Sequence, residues 1–320
     1  MPCIDLIIPI YNGEKYIPNL IQCLNNQTMK DFRAVFVDDG STDNTYQQLQ
    51  EQLKSASFLY LLIHQENKGL PGARNTGIRN AEADWIAFMD SDDGLDSRFL
   101  EFLHRGVSES GANVGVCEYQ IITGKNDVQE VNPDEFAVRV ISSCESLKSY
   151  YTSWFGAWAL ILRRKWLQDQ KILFDEACTY LEDVPFITQV IVCADQVAFV
   201  NCPLYLYYMR EGSLMHSPKI EKYQIALAGF ERMAQKVASY HNESSAVFQS
   251  MGRARYYVAT LRKGAVLMPY DKFKQLCDCV PLKQVEYQVM NLQPKFRLAA
   301  KLYLRSKPLF YCAMRLLSKD

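Results

Sequence analysis

In Ala87-Phe88-Met89-Asp90-Ser91-Asp92-Asp93 an apolar run of buried-strand character stops on three carboxylates packed into four residues. Like charges this close repel unless a cation sits among them. A divalent metal at the carboxyl end of a parallel strand resolves the repulsion, and open α/β sheets place their ligands at that edge. The expectation is an enzyme acting on a phosphorylated compound.

Working outward, the first hundred residues alternate in period. Ile4 to Ile10, Phe32 to Val37, Phe58 to Ile63 and Trp85 to Met89 read as strands, and 14–27, 42–53 and 71–80 as helices between them. Strand and helix alternating at this spacing predict βαβ units and a parallel sheet. A further helix is expected from Pro185 to Ala194, and the chain reads as helical throughout past Ile220. The domain expectation is therefore a catalytic unit over 1–217 and a helical extension over 218–320. Within the unit, 1–112 would bind nucleotide and 113–217 would face the acceptor.

With 320 residues, 48% of them hydrophobic, the chain can bury a full core, which excludes disordered and fibrous classes. Its ten cysteines are scattered, with no C-x-x-C pair, so they read as reduced thiols rather than a disulfide or zinc framework. The first residues run straight into a strand pattern without a basic and apolar leader, and no run of 18 apolar residues occurs, so a cytoplasmic protein is expected. The net charge of -1 hides an asymmetry, since seven bases and one acid lie between Lys295 and Asp320. Nothing in this pattern points to nucleic acid.

Polar clusters follow each early strand: Pro9, Tyr11 and Asn12, then Asp38-Asp39-Gly40-Ser41-Thr42-Asp43, then Asn67-Lys68-Gly69. Taken singly they are turns and helix caps. Together they open on one rim of the sheet. A dinucleotide fold would place G-x-G-x-x-G after the first strand, where Tyr11-Asn12-Gly13-Glu14 stands, and a P-loop would need Ser or Thr where Asn126 follows Gly124-Lys125. An EF-hand reading of Asp90-x-Asp92 fails at Gly94.

The run Ile8-Pro9-Ile10-Tyr11-Asn12, with Val37 to Asp43, Asn67-Lys68-Gly69, Ala73-Arg74-Asn75-Thr76-Gly77 and Met89 to Asp93, resembles the nucleotide-sugar half of family 2 glycosyltransferases. Trp158, Arg163-Arg164, Phe174-Asp175-Glu176, Leu181 to Phe186 and Leu204 to Ser213 resemble the acceptor half of bacterial surface-polysaccharide members. The resemblance covers about residues 3–217. It implies a GT-A (Rossmann-like) α/β fold, a mostly parallel sheet flanked by helices, and sugar transfer with inversion from a nucleoside diphosphate, UDP above others, to a hydroxyl of a glycan or lipid-linked acceptor. It also implies donor contacts from Pro9, Tyr11, Asp38, Asp39, Lys68, Gly69, Arg74, Asp90, Ser91 and Asp92. Tyr11 would stack on the base, Asp39 would hydrogen-bond it and Arg74 would reach toward the nucleotide. Manganese or magnesium is implied on Asp92 and Asp93.

A departing nucleoside diphosphate gathers negative charge, which a hard cation stabilises. The acceptor hydroxyl must lose a proton, and Asp183, beside Glu182 at a helix start, is the candidate base; an N-cap is its structural alternative. The extrusion residues and membrane helices of processive synthases are missing from the pattern, so single transfer is expected. His216 reads as a surface or packing residue ahead of a diphosphate contact. A nucleotidyltransferase and an inactive sugar-nucleotide binder are the competing functions.

In the tail, Arg297, Lys301 and Arg305 recur every four residues along one helical face, while Phe296, Leu302, Leu309, Phe310 and Met314 supply apolar area. The expectation is peripheral contact of 295–320 with an anionic membrane surface at the inner face of the cell membrane. A helix packed on the body with a solvated basic face accounts for the same residues.

Overall fold

The structure, a computed structural model, describes residues 2–124, 127–150, 155–209 and 219–318. Strands β1 (Ile4–Ile10), β2 (Phe32–Asp38), β3 (Leu59–His64) and β4 (Trp85–Phe88) alternate with helices α1 (Ile17–Asn25), α2 (Thr45–Gln52) and α3 (Gly69–Asn80). They pair in parallel in the order β3-β2-β1-β4, with Ile7 of β1 level with Val35 of β2 and Phe88 of β4. Every residue of β1 is buried, as a strand covered on both faces requires.

The buried Asp5 of β1 is matched rather than wasted. Its carboxylate accepts from Arg33 Nε at 2.7 Å and Nη2 at 2.9 Å, and from the backbone N–H groups of Glu82 and Ala83. A paired, hydrogen-bonded charge can stay in the core where a lone one could not. Close packing of α3 on the sheet depends on Gly77, where a Cβ would lie 2.3 Å from Ile7 Cγ2.

Beyond β4 the sheet becomes mixed. After the short β5 (Gly94–Leu95) and α4 (Phe99–Ser110) come β6 (Val114–Ile122), β7 (Val138–Ser142), α5 (Ser143–Tyr150), β8 (Leu160–Arg163), α6 (Arg164–Asp169), α7 (Asp183–Cys193) and β9 (Gln196–Tyr208). β8 enters antiparallel between β4 and β6, β9 runs parallel to β6, and β9 pairs antiparallel with β5 and β7. The β5–β9 pairing sets Gly94 opposite Leu206, which brings the chain near residue 205 back to the acidic turn after β4.

The remaining helices are α8 (Ile220–Ala238), α9 (Glu243–Leu267), α10 (Tyr270–Cys279), α11 (Pro294–Arg305) and α12 (Lys307–Leu316), with a 3-10 segment over Leu282–Asn291. α8 packs on α7, and α9 on α5 and α7, so their buried residues join the core of the sheet. The expected outward apolar face of the tail needs correction. Phe296, Phe310 and Met314 are buried in the helical core, while the expected Leu309 stands in solvent together with Leu298, Leu316 and Leu317. All ten cysteines are free thiols.

Candidate active site

The loops after β1 and β2 are laced together. Asn12 Oδ1 accepts from the Thr42 N–H at 2.8 Å, the Asn12 N–H donates to Ser41 Oγ at 2.9 Å, and the Gly13 N–H donates to Thr45 Oγ1 at 2.8 Å. Asn12 takes φ 49°, a left-handed conformation that asparagine tolerates better than most residues. The outcome is that Tyr11, 53% exposed, stands at the mouth of a cavity of about 720 Å³ with Pro9 on its wall. Asp39, nearly buried, accepts from Gln65 Nε2 at 2.6 Å and from the Lys68 N–H at 2.9 Å, which ties the second loop to the start of α3. Gly40 makes the turn between them at φ 73°, and a Cβ there would meet Asn67 N at 2.9 Å.

The acidic turn after β4 forms the cavity floor, and its oxygens are partly committed. Asp93 Oδ2 accepts from Tyr205 OH at 2.8 Å and Oδ1 from the Tyr208 N–H at 3.0 Å, while the Asp90 N–H donates to the same tyrosine oxygen at 3.2 Å. Trp158 stacks on the Tyr205 ring at 4.2 Å and fixes it. Burial, then the charges of Asp90 and Asp92, push the Asp93 carboxyl up to about 8 against those hydrogen bonds.

Facing this floor is the start of α7. Arg74, 1% exposed, donates from Nη1 to Glu182 at 2.7 Å and Asp183 at 2.8 Å, and from Nη2 to Asp90 at 2.8 Å. Its guanidinium also lies 5.2 Å from the Phe174 ring, which stacks on Phe186 of α7. Burial works against the arginine charge, but Asp183, Asp90 and Glu182 outweigh it and hold the group firmly protonated. Asn75, next in α3, accepts from the Phe174 N–H and donates to its C=O, each at 2.9 Å, so α3 grips the acceptor side by both side chains. Leu181 sits at φ 55°, a strained position for a branched residue, and this turns Glu182 and Asp183 inward. Burial pushes the Asp183 carboxyl up to about 7, with Arg74 opposing and Glu182 and Asp90 adding to the rise. The Asp183 carboxylate makes its bond to Arg74, and no side-chain cap is formed at the α7 start.

Pro9, Tyr11, Asp39, Gly69, Arg74, Asp90, Ser91, Asp92, Asp93 and Asp183 all line the one cavity. Asp38 and Lys68 do not. Asp38 is fully buried, 2.6 Å from His64 Nδ1 and accepting from the Ser41 N–H. Successive residues at a strand end point to opposite sides, so Asp38 and Asp39 cannot both face the cavity. Lys68 precedes α3 with an exposed side chain. Arg74 lines the cavity, but both terminal nitrogens are held by protein carboxylates rather than reaching away from them. Residues given no role from sequence also line it, among them Trp158, Tyr207, Tyr208 and Glu182. The loop Arg210 to Ser213 and His216 lie outside the described residues.

Among the described residues, no group of three or more His, Cys, Asp or Glu is arranged to hold a metal ion by itself. The donor set still fits a hard cation, because magnesium and manganese sites use one or two carboxylates and take further oxygens from a substrate phosphate. Asp92 and Asp93, on the cavity floor, supply that number.

The family model described as "Glycosyl transferase family 2" matches residues 5–168. Over 224 residues the chain is 30% identical to the uncharacterized glycosyltransferase EpsJ of Bacillus subtilis (strain 168), covering 68% of this chain and 64% of that protein. The chain thus spans less than two thirds of that relative's length. The crystal structure of S. aureus TarS 1-349 in complex with UDP-GlcNAc superposes with TM-score 0.69 at 20% identity, over 100% of this chain and 92% of that one. The mannosyltransferase PcManGT from Pyrobaculum calidifontis, in complex with GDP-Man and Mn2+, gives TM-score 0.58 at 14% identity, over 94% of this chain and 86% of that one. The sheet that curls from parallel to mixed and the helical C-terminal region are thus shared with solved transferases of the GT-A kind. With more than half of its length matched by the family model, the chain belongs to glycosyl transferase family 2.

Proposed function

We propose that the chain transfers a sugar, with inversion, from a UDP-sugar to a hydroxyl of a glycan or lipid-linked acceptor in polysaccharide biosynthesis. The observation that carries this reading is the position of Asp183, which faces Asp90 across one cavity with Arg74 between them. An inverting displacement needs one base on the acceptor side and charge stabilisation on the leaving-group side. The cavity has one set of groups for each.

On the donor side, Tyr11 offers an aromatic face to a flat base and Asp39 an acceptor for a ring N–H. Support for uracil over other bases comes from the UDP-GlcNAc complex of a structural neighbour. Asp92 and Asp93 would hold manganese or magnesium, as the Mn2+ complex of another neighbour also suggests, and the ion would supply Lewis-acid stabilisation of the departing diphosphate. Ser91 and Asp90 border the same space and fit hydroxyls of the ribose or sugar. Tyr205 keeps the acidic turn in place through its two hydrogen bonds.

On the acceptor side Asp183 takes the proton of the attacking hydroxyl. Arg74 keeps that carboxylate oriented and favours its ionised form. Thr179, Tyr180 and Leu181 border the entrance for the acceptor. The family speaks against the nucleotidyltransferase alternative. The reaction is proposed to run at the inner face of the cell membrane, where a lipid-linked acceptor would lie. The test is a panel of UDP, GDP and CMP with their sugar conjugates, each with and without manganese, read by thermal shift and then by transfer. Metal-dependent stabilisation by UDP compounds alone is expected. Stabilisation by GDP or CMP compounds instead would overturn the donor assignment.

A further inference from the structure

The C-terminal helices carry more apolar side chain than their packing uses. The core-facing sides of α11 and α12 are filled by Phe296, Ala299, Ala300, Tyr303, Phe310 and Met314, all buried. Yet Leu298, Leu309, Leu316 and Leu317 are 70%, 60%, 67% and 69% exposed. Scattered exposed leucines are ordinary on a protein surface. These are concentrated: with Tyr287 at 70%, they make up nearly all of the most exposed large hydrophobics among the described residues.

Their arrangement is helical. Leu309, Cys312 and Leu316 fall at i, i+3 and i+7 on the outward side of α12, and Leu298, Lys301 and Arg305 repeat that spacing on α11. Every charged residue from Pro294 to Ser318 is basic, with Lys295, Lys301 and Arg305 all exposed. Beside them an open cleft of about 560 Å³ is lined by Lys283, Arg305 and Lys307 together with Val280, Tyr303 and Leu304. Asp278 of the neighbouring α10 is paired with Lys307 at 3.3 Å. No helix of the described residues is long and apolar enough to cross a membrane.

From this we infer that the outward faces of α11 and α12 form a docking surface for an anionic lipid bilayer, with the leucines entering the headgroup boundary and the lysines and arginines meeting lipid phosphates. A protein partner or a second copy would account for exposed leucines. An apolar face bordered by bases on α11 and α12 is the pattern that an anionic lipid surface attracts. The surface is independent of the sugar chemistry, so its test stands apart from that of the transfer reaction.

The test uses the full chain in sedimentation with phosphatidylcholine vesicles, with and without phosphatidylglycerol. Wild type should pellet with the anionic vesicles at least about tenfold more than with neutral ones, and less as salt is raised. Leu309→Glu with Leu316→Glu, and separately Lys295→Glu with Lys301→Glu and Arg305→Glu, should each abolish pelleting. All five positions are exposed, so circular dichroism and the melting temperature should stay at wild-type values. Equal pelleting with both vesicles, no pelleting, or variants that pellet like wild type would overturn the inference. So would light scattering showing a dimer that the leucine variants dissociate, since a second copy would then be the occupant.

Discussion

The acidic turn after β4 and the acidic start of α7 face one another across the same cavity and are built in opposite ways. At the turn, Asp90, Asp92 and Asp93 crowd together, and the partners of Asp93 are a tyrosine hydroxyl and a backbone N–H. At the helix start, Glu182 and Asp183 share one arginine whose bonds are all shorter than 3 Å. In the first region Asp93 is held by neutral donors, and in the second both acids meet a cation. Crowded carboxylates are where a further cation gains most. A compensated carboxylate facing the cavity can remain ionised in a buried place and accept a proton. Under the proposed function one wall would serve the metal and the other the base, and Arg74 ties the two walls together through Asp90.

The largest expected effect breaks the base side. Asp183→Asn keeps the shape of the side chain and should lower kcat for transfer by about a thousandfold while metal-dependent UDP binding stays within error. Undiminished transfer would remove Asp183 from the base role. The same carboxyl sets the pH dependence. The base must be ionised, and it has been pushed up to about 7, so kcat should fall about tenfold per unit as pH drops below that value and level off above it. Arg74 opposes the rise, so removing its charge should move this limb to higher pH.

Next in size, Arg74→Met leaves three carboxylates around a neutral side chain. Stability should drop by about 3 kcal/mol or more, measured by urea unfolding. Arg74→Lys restores the charge without the fork and should recover part of the stability and less of the activity. A Met variant as stable as wild type would mean that the carboxylates are relieved by protonation, and that the helix start is not compensated by Arg74.

Much of the turn was legible in sequence, and much less of the helix start. Parallel strands joined by helices put all their carboxyl ends on one edge, so Tyr11, Asp39 and Asp90 to Asp93 converge once the alternation is read. The two-residue period of a strand end separates Asp38 from Asp39. By contrast, Arg74 meets Glu182 and Asp183 more than a hundred residues away, and Tyr205 reaches Asp93 only because β9 folds back on β5. No local pattern encodes those pairings. In the tail, Leu309 is exposed while Phe296, Phe310 and Met314 are buried: apolar residues occur around more than one face of α11 and α12, and periodicity alone cannot say which face the neighbouring helices cover.

On the turn side, Asp92→Ala should weaken metal-dependent UDP binding by about thirtyfold, the loss of one charged contact worth about 2 kcal/mol, with UDP binding in chelator little changed. An equal loss with and without metal would make Asp92 a nucleotide contact instead.

The smallest and most discriminating effect is expected at Asp93. Asn at this position can still accept from Tyr205 OH or the Tyr208 N–H, and it removes one acid from a crowded cluster, an acid whose carboxyl is pushed up to about 8 by burial and then by the charges of Asp90 and Asp92. Relief of repulsion and loss of one hydrogen bond therefore oppose each other, and metal-free stability should change by less than about 1 kcal/mol. The stabilisation that manganese adds in the presence of UDP should nevertheless shrink clearly, because a neutral amide is a poorer ligand for a hard cation than a carboxylate. Arg74→Met and Asp93→Asn then form a matched pair. The first costs stability because it takes away the cation that three acids share; the second costs little because the partners of its acid are a hydroxyl and a backbone N–H. A large metal-free loss in Asp93→Asn would mean that the turn, too, is held by its own ionic bonds, and the division of labour between the two walls would fall.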